Sequence, residues 1–130
     1  MTTDEAEFDE LVRQALERIP EPFASRLDTV AIVIDDEATP DQLSSVGATG
    51  LFGLYQGVPR TAYGATHAPV PSKITIFRRP IEMFHPEPAA RARAVEDVVF
   101  HEVAHHFGIS DARLRELQAD RRQRRATDGR

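Results

Sequence analysis

The segment HEVAHHFGISD, residues 101–111, holds the residue types most able to do chemistry. His101 and His105 are four positions apart, so on an α-helix they lie one turn apart and point the same way. Glu102 is offset from His101 by about 100°, which lets its carboxylate border the space between the imidazoles without acting as a ligand. Two imidazoles that can share a cation, beside a carboxylate that can accept a proton from water, indicate metal-assisted hydrolysis.

A third ligand is needed, because catalytic zinc sites use three protein ligands and keep one position for water. Gly108 follows the helix, where a positive φ reverses the chain at little steric cost. Asp111 comes six residues after His105, so its carboxylate can return towards the imidazoles. The chain has no cysteine, which leaves imidazole and carboxylate as ligands. The sequence therefore predicts one zinc ion held by His101, His105 and Asp111, with Glu102 as the catalytic base.

The other histidines and one tyrosine have structural interpretations. His106 is predicted to point away from the ligand pair and to pack or to form a hydrogen bond. His67 and His85 are predicted to be surface residues of loops, and Tyr63 a partly buried structural residue. None of the four enters the predicted set of metal ligands and catalytic groups.

Two helices are predicted to position the motif. Residues 3–19 place apolar side chains at helical spacing behind an acidic first turn, and Pro20 ends the pattern. Glu87 and Pro88 open a long second helix, with proline at a permitted first-turn position, which runs to about Phe107 and carries both motif histidines. Its larger apolar residues cluster opposite those histidines, so one face should pack while the other borders a cleft.

Three segments are predicted to be strands. Residues 29–35, TVAIVID, form a nearly continuous apolar run that is typical of a central strand buried on both faces. Residues 51–57 are predicted to form a strand interrupted by Gly53, followed by a long loop at 57–72. Residues 73–78, KITIFR, alternate in polarity and lead into two arginines, which favours a half-exposed edge strand able to pair with an extended peptide.

Composition narrows the class of protein. A chain of 130 residues, 41% of them hydrophobic, suits a single domain over 1–130. Its net charge of −5 argues against a general nucleic-acid binder. Residues 121–130 hold five arginines and are predicted to be a flexible basic tail, with contact to nucleic acid or an acidic partner as the alternative.

The acidic start lacks the features of a secretory signal, and no apolar run reaches about 20 residues. A cytoplasmic location without membrane contact is therefore expected.

At these residues the chain resembles the zincins, and more narrowly the small single-domain bacterial family of minimal zincins, or zincin-like metallopeptidases. The resemblance is carried by HEVAHHFGISDARL at 101–114, GLYQGVP at 53–59 and KITIFRRPI at 73–81. It implies an α/β (α+β) domain, in which a small mixed sheet packs against the active-site helix, and a metal at the positions of the predicted ligands. Compared with the larger metzincins, an aspartate replaces the third histidine. The Met-turn is absent, since Met1 and Met83 both precede the motif.

The motif and the resemblance together predict a zinc-dependent peptidase. It would hydrolyse peptide bonds of a peptide or protein substrate through a metal-activated water, with Glu102 moving the proton. The alternative is a non-catalytic metal-binding adaptor or regulatory domain that retains a zincin site, since a chain of this length shows no separate substrate-binding half. The substrate and the oligomeric state are left open by the sequence.

Overall fold

The structure is a computed structural model that describes residues 3–57, 72–109, 112–116, 119–120 and 123. Within those residues no helix combines the length and apolar character needed to cross a membrane. A 3-10 helix, Ala24–Thr29, and a short helical stretch at 112–116 accompany the main elements. The main elements are, in chain order, α1 (Thr3–Glu17), β1 (Val30–Asp35), α2 (Pro40–Val46), β2 (Gly53–Gln56), β3 (Ser72–Phe77), α3 (Arg78–Phe84) and α4 (Pro88–His106).

The three strands form one mixed sheet in the order β1-β3-β2. β1 runs parallel to β3, with Ile32 opposite Ile74 and Ile34 opposite Ile76. β2 runs antiparallel to β3 on its other side. The small mixed sheet packed against the motif helix, which the family resemblance implies, is confirmed.

Two strand predictions were wrong, and they were wrong in opposite directions. Residues 73–78 were predicted as an edge, but β3 is the central strand and bonds to a neighbour on both sides. Residues 29–35 were predicted as central, but β1 bonds only to β3 among the described strands, and its Val33 is 38% exposed. The two arginines that suggested an edge, Arg78 and Arg79, begin α3, and Arg78 bonds to Asp36 at 2.9 Å and to Glu82 at 2.8 Å. The backbone of 73–78 therefore has no unpaired edge to offer an extended peptide.

One apolar core joins α1, the sheet and α4. Ile74 and Ile76 of β3 are completely buried, and they face the same side of the sheet because side chains alternate along a strand. On α4 the buried apolar residues form a stripe that leaves the predicted ligands outside it, as the spacing indicates. The stripe consists of Val95, Val99, Phe100, Val103, Ala104 and Phe107.

The carboxyl end of α4 closes with a Schellman motif. Gly108 has φ of 71°, the left-handed conformation that the sequence predicts for it. Its N–H donates to the carbonyl of His105 at 3.0 Å, and the N–H of Ile109 donates to the carbonyl of Ala104 at 3.0 Å. Ile109 packs against the core, and Leu114 in the next helical stretch is 1% exposed. The chain therefore reverses directly after the motif helix and stays against the domain.

One buried group of the sheet lacks a partner, and this generates a stability prediction. Thr75 on β3 is completely buried, and its hydroxyl has no hydrogen-bond partner in the part of the chain that the structure describes. Thr75→Val keeps the β-branched shape and removes the unsatisfied group, so the free energy of unfolding should rise by about 1 kcal/mol. Urea denaturation measures this change. Thr29→Val is the matched control and should lower stability, because the Thr29 hydroxyl donates to the carbonyl of Arg26 at 2.8 Å. A loss of stability in Thr75→Val would contradict the prediction.

Candidate metal centre

The motif helix brings three potential donors together. The imidazole nitrogens of His101 and His105 and a carboxylate oxygen of Glu102 all lie within 4.8 Å of one another. The two imidazole rings have centroids 4.4 Å apart in an edge-on arrangement, and Nδ1 of His105 lies 3.6 Å from Oε1 of Glu102. The three side chains lie on one turn of the helix. Their proximity therefore follows from the HExxH spacing and does not depend on contacts with distant parts of the chain.

The chemistry and spacing of these donors fit a divalent ion such as zinc. Zinc takes imidazole nitrogen and carboxylate oxygen at about 2.0 to 2.2 Å, so two donors of one ion lie at most about 4.4 Å apart. The observed upper limit of 4.8 Å requires only small side-chain rotations to satisfy this. Glu102 is 7% exposed, and a charged carboxylate at that depth is stabilised by a nearby cation or hydrogen bonds. His101 and His105 are the described residues that would hold the ion.

A cavity of about 300 Å³ adjoins the donor group. Its walls come from the start of β2 and from the exposed side of α4, so the helix face that was predicted to border a cleft does so. The residues that line it are Phe52, Gly53, Asp97, Val98, His101 and Glu102.

The missing side chain of Gly53 allows β2 to lie close against α4. A Cβ at this position would be 2.8 Å from Cγ1 of Val98 and 3.1 Å from Cγ of Glu102, and both distances are shorter than ordinary van der Waals contact. Tyr55, two residues further along the strand, points to the same side of the sheet and reaches His106. β2 therefore runs along a single row of α4 side chains, and Gly53 packs against the buried side of the Glu102 side chain.

His106 belongs to a buried chain of hydrogen bonds, as its predicted role requires. Its ring is completely buried, with Nε2 2.9 Å from the hydroxyl of Thr29 and Nδ1 3.2 Å from the hydroxyl of Tyr55. The Thr29 hydroxyl donates to the carbonyl of Arg26, so it must accept from Nε2–H of His106. In the neutral ring Nδ1 is then an acceptor for the Tyr55 hydroxyl, whose oxygen lies 3.1 Å from that of Ser72. This chain ties the end of α4 to both β2 and β3.

The remaining predicted residues fall elsewhere. Asp111, the predicted third ligand, lies outside the described residues, as do Tyr63 and His67. His85 follows α3, and its ring centroid is 6.1 Å from that of Phe52 rather than in the donor group. Gly53 was predicted only to interrupt a strand, and Asp97, which lines the cavity, was not among the predicted site residues. The signal for Asp97 was its position four residues before His101, which places it on the same face of the helix.

The fold and the donor group together define a class of protein. A mixed sheet packed against a helix that presents a His–Glu–His group is the arrangement expected of a zincin-like fold. The family model for zincin-like metallopeptidases matches residues 27–121, and the chain belongs to that family. A comparison with curated proteins found no match.

The close approach at Gly53 predicts a position-specific effect of alanine. Gly53→Ala should lower the free energy of unfolding by about 1 to 3 kcal/mol, because the added methyl group overpacks the contact with Val98 and Glu102. Gly50→Ala is the matched control, since a Cβ there meets nothing within 4 Å, and it should change stability by less than about 0.5 kcal/mol. Thermal and urea unfolding measure both variants. Equal effects of the two substitutions would show that β2 can move away from α4 freely.

The buried chain of hydrogen bonds predicts one tautomer of His106. Long-range ¹H–¹⁵N NMR correlations should find the proton on Nε2, because the Thr29 hydroxyl is already committed as a donor to Arg26. Tyr55→Phe removes the hydroxyl that bonds to Nδ1 and should lower the free energy of unfolding by about 1 to 3 kcal/mol, since a buried hydrogen bond is lost. A proton on Nδ1, or a Tyr55→Phe variant as stable as the parent, would rule out this arrangement.

Proposed function

We propose that the protein is a zinc-dependent peptidase in which His101, His105 and Asp111 hold the ion and Glu102 is the catalytic base. The observation that carries the proposal is the grouping of three donor atoms within 4.8 Å beside a cavity. Membership of the zincin-like metallopeptidase family supports a hydrolytic use of that group. Asp111 enters the proposal from its spacing in the sequence, six residues after His105.

The role of Glu102 follows from where its side chain lies. When bound, zinc supplies a Lewis acid that polarises a carbonyl group and lowers the pKa of water. Glu102 lines the cavity and is held against β2 at Gly53, so its carboxylate has a fixed position beside any group that occupies the cavity. From there it would accept a proton from the attacking water and deliver it to the leaving amine nitrogen. The breaking bond gains a proton on nitrogen, and water supplies the hydroxyl of the new acid.

A peptide is the substrate class that the sheet supports. β3 is paired on both sides, so an extended chain cannot add to it. β2 has β3 as its one neighbour among the described strands, and its first residue, Gly53, lines the cavity together with Phe52. A peptide that pairs with the outer edge of β2 would have its backbone held by regular hydrogen bonds while it passes the donor group.

The proposal predicts that catalysis and metal binding can be separated by substitution. Glu102→Gln should lower kcat by about 10²- to 10⁴-fold, because the amide cannot accept the proton from water, and should leave one zinc per chain. His105→Ala and Asp111→Ala should each lose zinc together with activity. Glu96→Gln is the matched control, since Glu96 is on the same helix but pairs with Arg18 at 2.9 Å. Peptide-library hydrolysis and metal analysis of protein purified without a chelator measure these outcomes.

Two results would overturn the proposal in different ways. Full activity in Glu102→Gln would eliminate Glu102 as the base. A zinc-loaded parent protein that cleaves no member of a broad peptide library, yet depends on zinc for stability, would replace the peptidase by a metal-binding adaptor.

A further inference from the structure

We propose that Phe52, Met83 and Phe84 form a docking surface for a large apolar side chain of the substrate, such as phenylalanine or leucine. We refer to these three residues as the apolar patch. The inference rests on the proposed function, because it names the substrate class of that site. It concerns side chains that lie outside the donor group of the candidate metal centre.

The apolar patch contains most of the large apolar side chains that are exposed. Five such residues are exposed in the part of the chain that the structure describes, and three of them belong to the patch. Met83 is 79% exposed, Phe84 71% and Phe52 37%. The rings of Phe52 and Phe84 meet edge-on with centroids 5.6 Å apart, and Met83 precedes Phe84 on α3. Single exposed apolar residues are ordinary, whereas a contiguous group indicates a surface that contacts another molecule.

Buried contacts hold the patch in position. On α3, Ile81 is completely buried. The carbonyl of His85, at the end of α3, accepts a hydrogen bond from Nε of Arg91 on α4 at 3.0 Å. The carbonyl of Phe52 accepts one from the N–H of Phe77 at 2.9 Å. Little of this backbone has to become ordered when a ligand binds, so the apolar contacts are retained as affinity.

Phe52 connects the patch with the proposed active site. It lines the cavity together with His101 and Glu102, and its ring contacts the ring of Phe84. An extended peptide advances about 3.3 Å per residue, so a peptide bond beside Glu102 would lie within a few residues of a side chain that rests on Phe52. The patch can therefore hold a substrate residue close to the bond that is cleaved.

The area of the patch suits a substrate side chain better than a second copy of the protein. With about 200 Å² for each of its three side chains, the exposed fractions amount to about 400 Å². A stable dimer buries about 800 Å² on each partner. One or two large side chains of a peptide, at about 150 to 250 Å² each, would cover the patch.

Recognition at the patch can be measured independently of the charges in the cavity. Asp97, Glu102 and His101 line the cavity, and the proposed ion would add positive charge beside them. Peptides that differ in a single neutral side chain present the same charge to all of these groups. A difference in affinity between such peptides therefore reports contact of that side chain with apolar surface.

The test measures the binding of alanine-rich peptides in which one residue is phenylalanine, leucine or serine. The protein is Glu102→Gln incubated with zinc, which should not consume the peptides, and fluorescence anisotropy of a terminal dye reports binding. We expect the phenylalanine peptide to bind about tenfold more tightly than the serine peptide, with leucine close to phenylalanine. Adding Phe84→Ser or Met83→Ser should reduce this ratio, and adding both should bring it to about twofold or less.

Two control variants separate the patch from folding and from apolar surface elsewhere. Phe84→Leu keeps an apolar side chain and should retain the preference, so its loss in Phe84→Ser could not be ascribed to a disturbed α3. Val46→Ser removes an apolar residue of α2 that is 50% exposed and lies outside the cavity lining, and it should leave the ratio unchanged. Equal binding of the phenylalanine and serine peptides, or a preference that survives the double substitution, would overturn the inference.

Other occupants of the patch would give different results. Analytical ultracentrifugation of the parent protein detects a dimer, and flotation with phosphatidylcholine vesicles detects contact with a membrane surface. We expect neither. A dimer or a vesicle-bound form that Phe84→Ser abolishes would assign the patch to that occupant and contradict the inference.

Hydrolysis products separate this inference from the proposed function. If the parent protein cleaves these peptides, moving the phenylalanine by one residue should move the cut by one residue, which mass spectrometry detects. Preference for phenylalanine that depends on Phe84, in a protein that hydrolyses no peptide, would keep the docking surface and reject the peptidase. Hydrolysis that requires Glu102 but is indifferent to phenylalanine would keep the peptidase and reject the docking surface.

Discussion

The rotation of α4 about its own axis is the constraint on which the site depends. Val95, Val99 and Val103 recur at one-turn intervals and are almost completely buried, and burial of each contributes about 1.5 to 3 kcal/mol relative to exposure. A change of register by one residue would turn the helix by about 100°, exposing this stripe and carrying His101 towards the core. The apolar packing therefore fixes the direction of the imidazoles, although no residue of that stripe belongs to the proposed site.

The close packing of β2 against α4 is the second feature that determines the geometry of the site. Two residues of very different size, Gly53 and Tyr55, produce it. Gly53 has no Cβ, which lets the strand lie against Val98 and Glu102. Tyr55 contributes a hydrogen bond to His106, next in sequence to the predicted ligand His105. The small residue thus sets the distance between the strand and α4, and the large one sets the alignment of the strand along the helix. The same strand also forms a wall of the cavity, so the geometry of the cavity and the position of Glu102 are coupled.

Local features of this chain could be predicted from sequence, and long-range ones could not. α4 and its Gly108 cap follow from proline at the first turn, helical periodicity and a glycine after the last periodic residue, all of which act within a few residues. The order of the strands depends on which partners each finds across the sheet. TVAIVID and KITIFR were therefore assigned to each other's positions, because an apolar run and a pair of arginines do not specify partners. The role of Gly53 required the position of Glu102, which no pattern within residues 51–57 contains. The third ligand at Asp111 stays a prediction.

The Schellman motif at Gly108, together with the burial of α4, has a consequence for how the proposed site would bind its ion. The turn that carries both imidazoles is closed by backbone hydrogen bonds and anchored by apolar packing, neither of which uses the ion. Small zinc fingers differ, because for them ion capture and folding are one event. At the proposed site the packing and the backbone hydrogen bonds position the two imidazoles, so most of the free energy of ion capture would be retained as affinity instead of being consumed in ordering the chain. Under the proposed function, loss of the ion would remove activity reversibly, while the packed core stays protected from proteolysis.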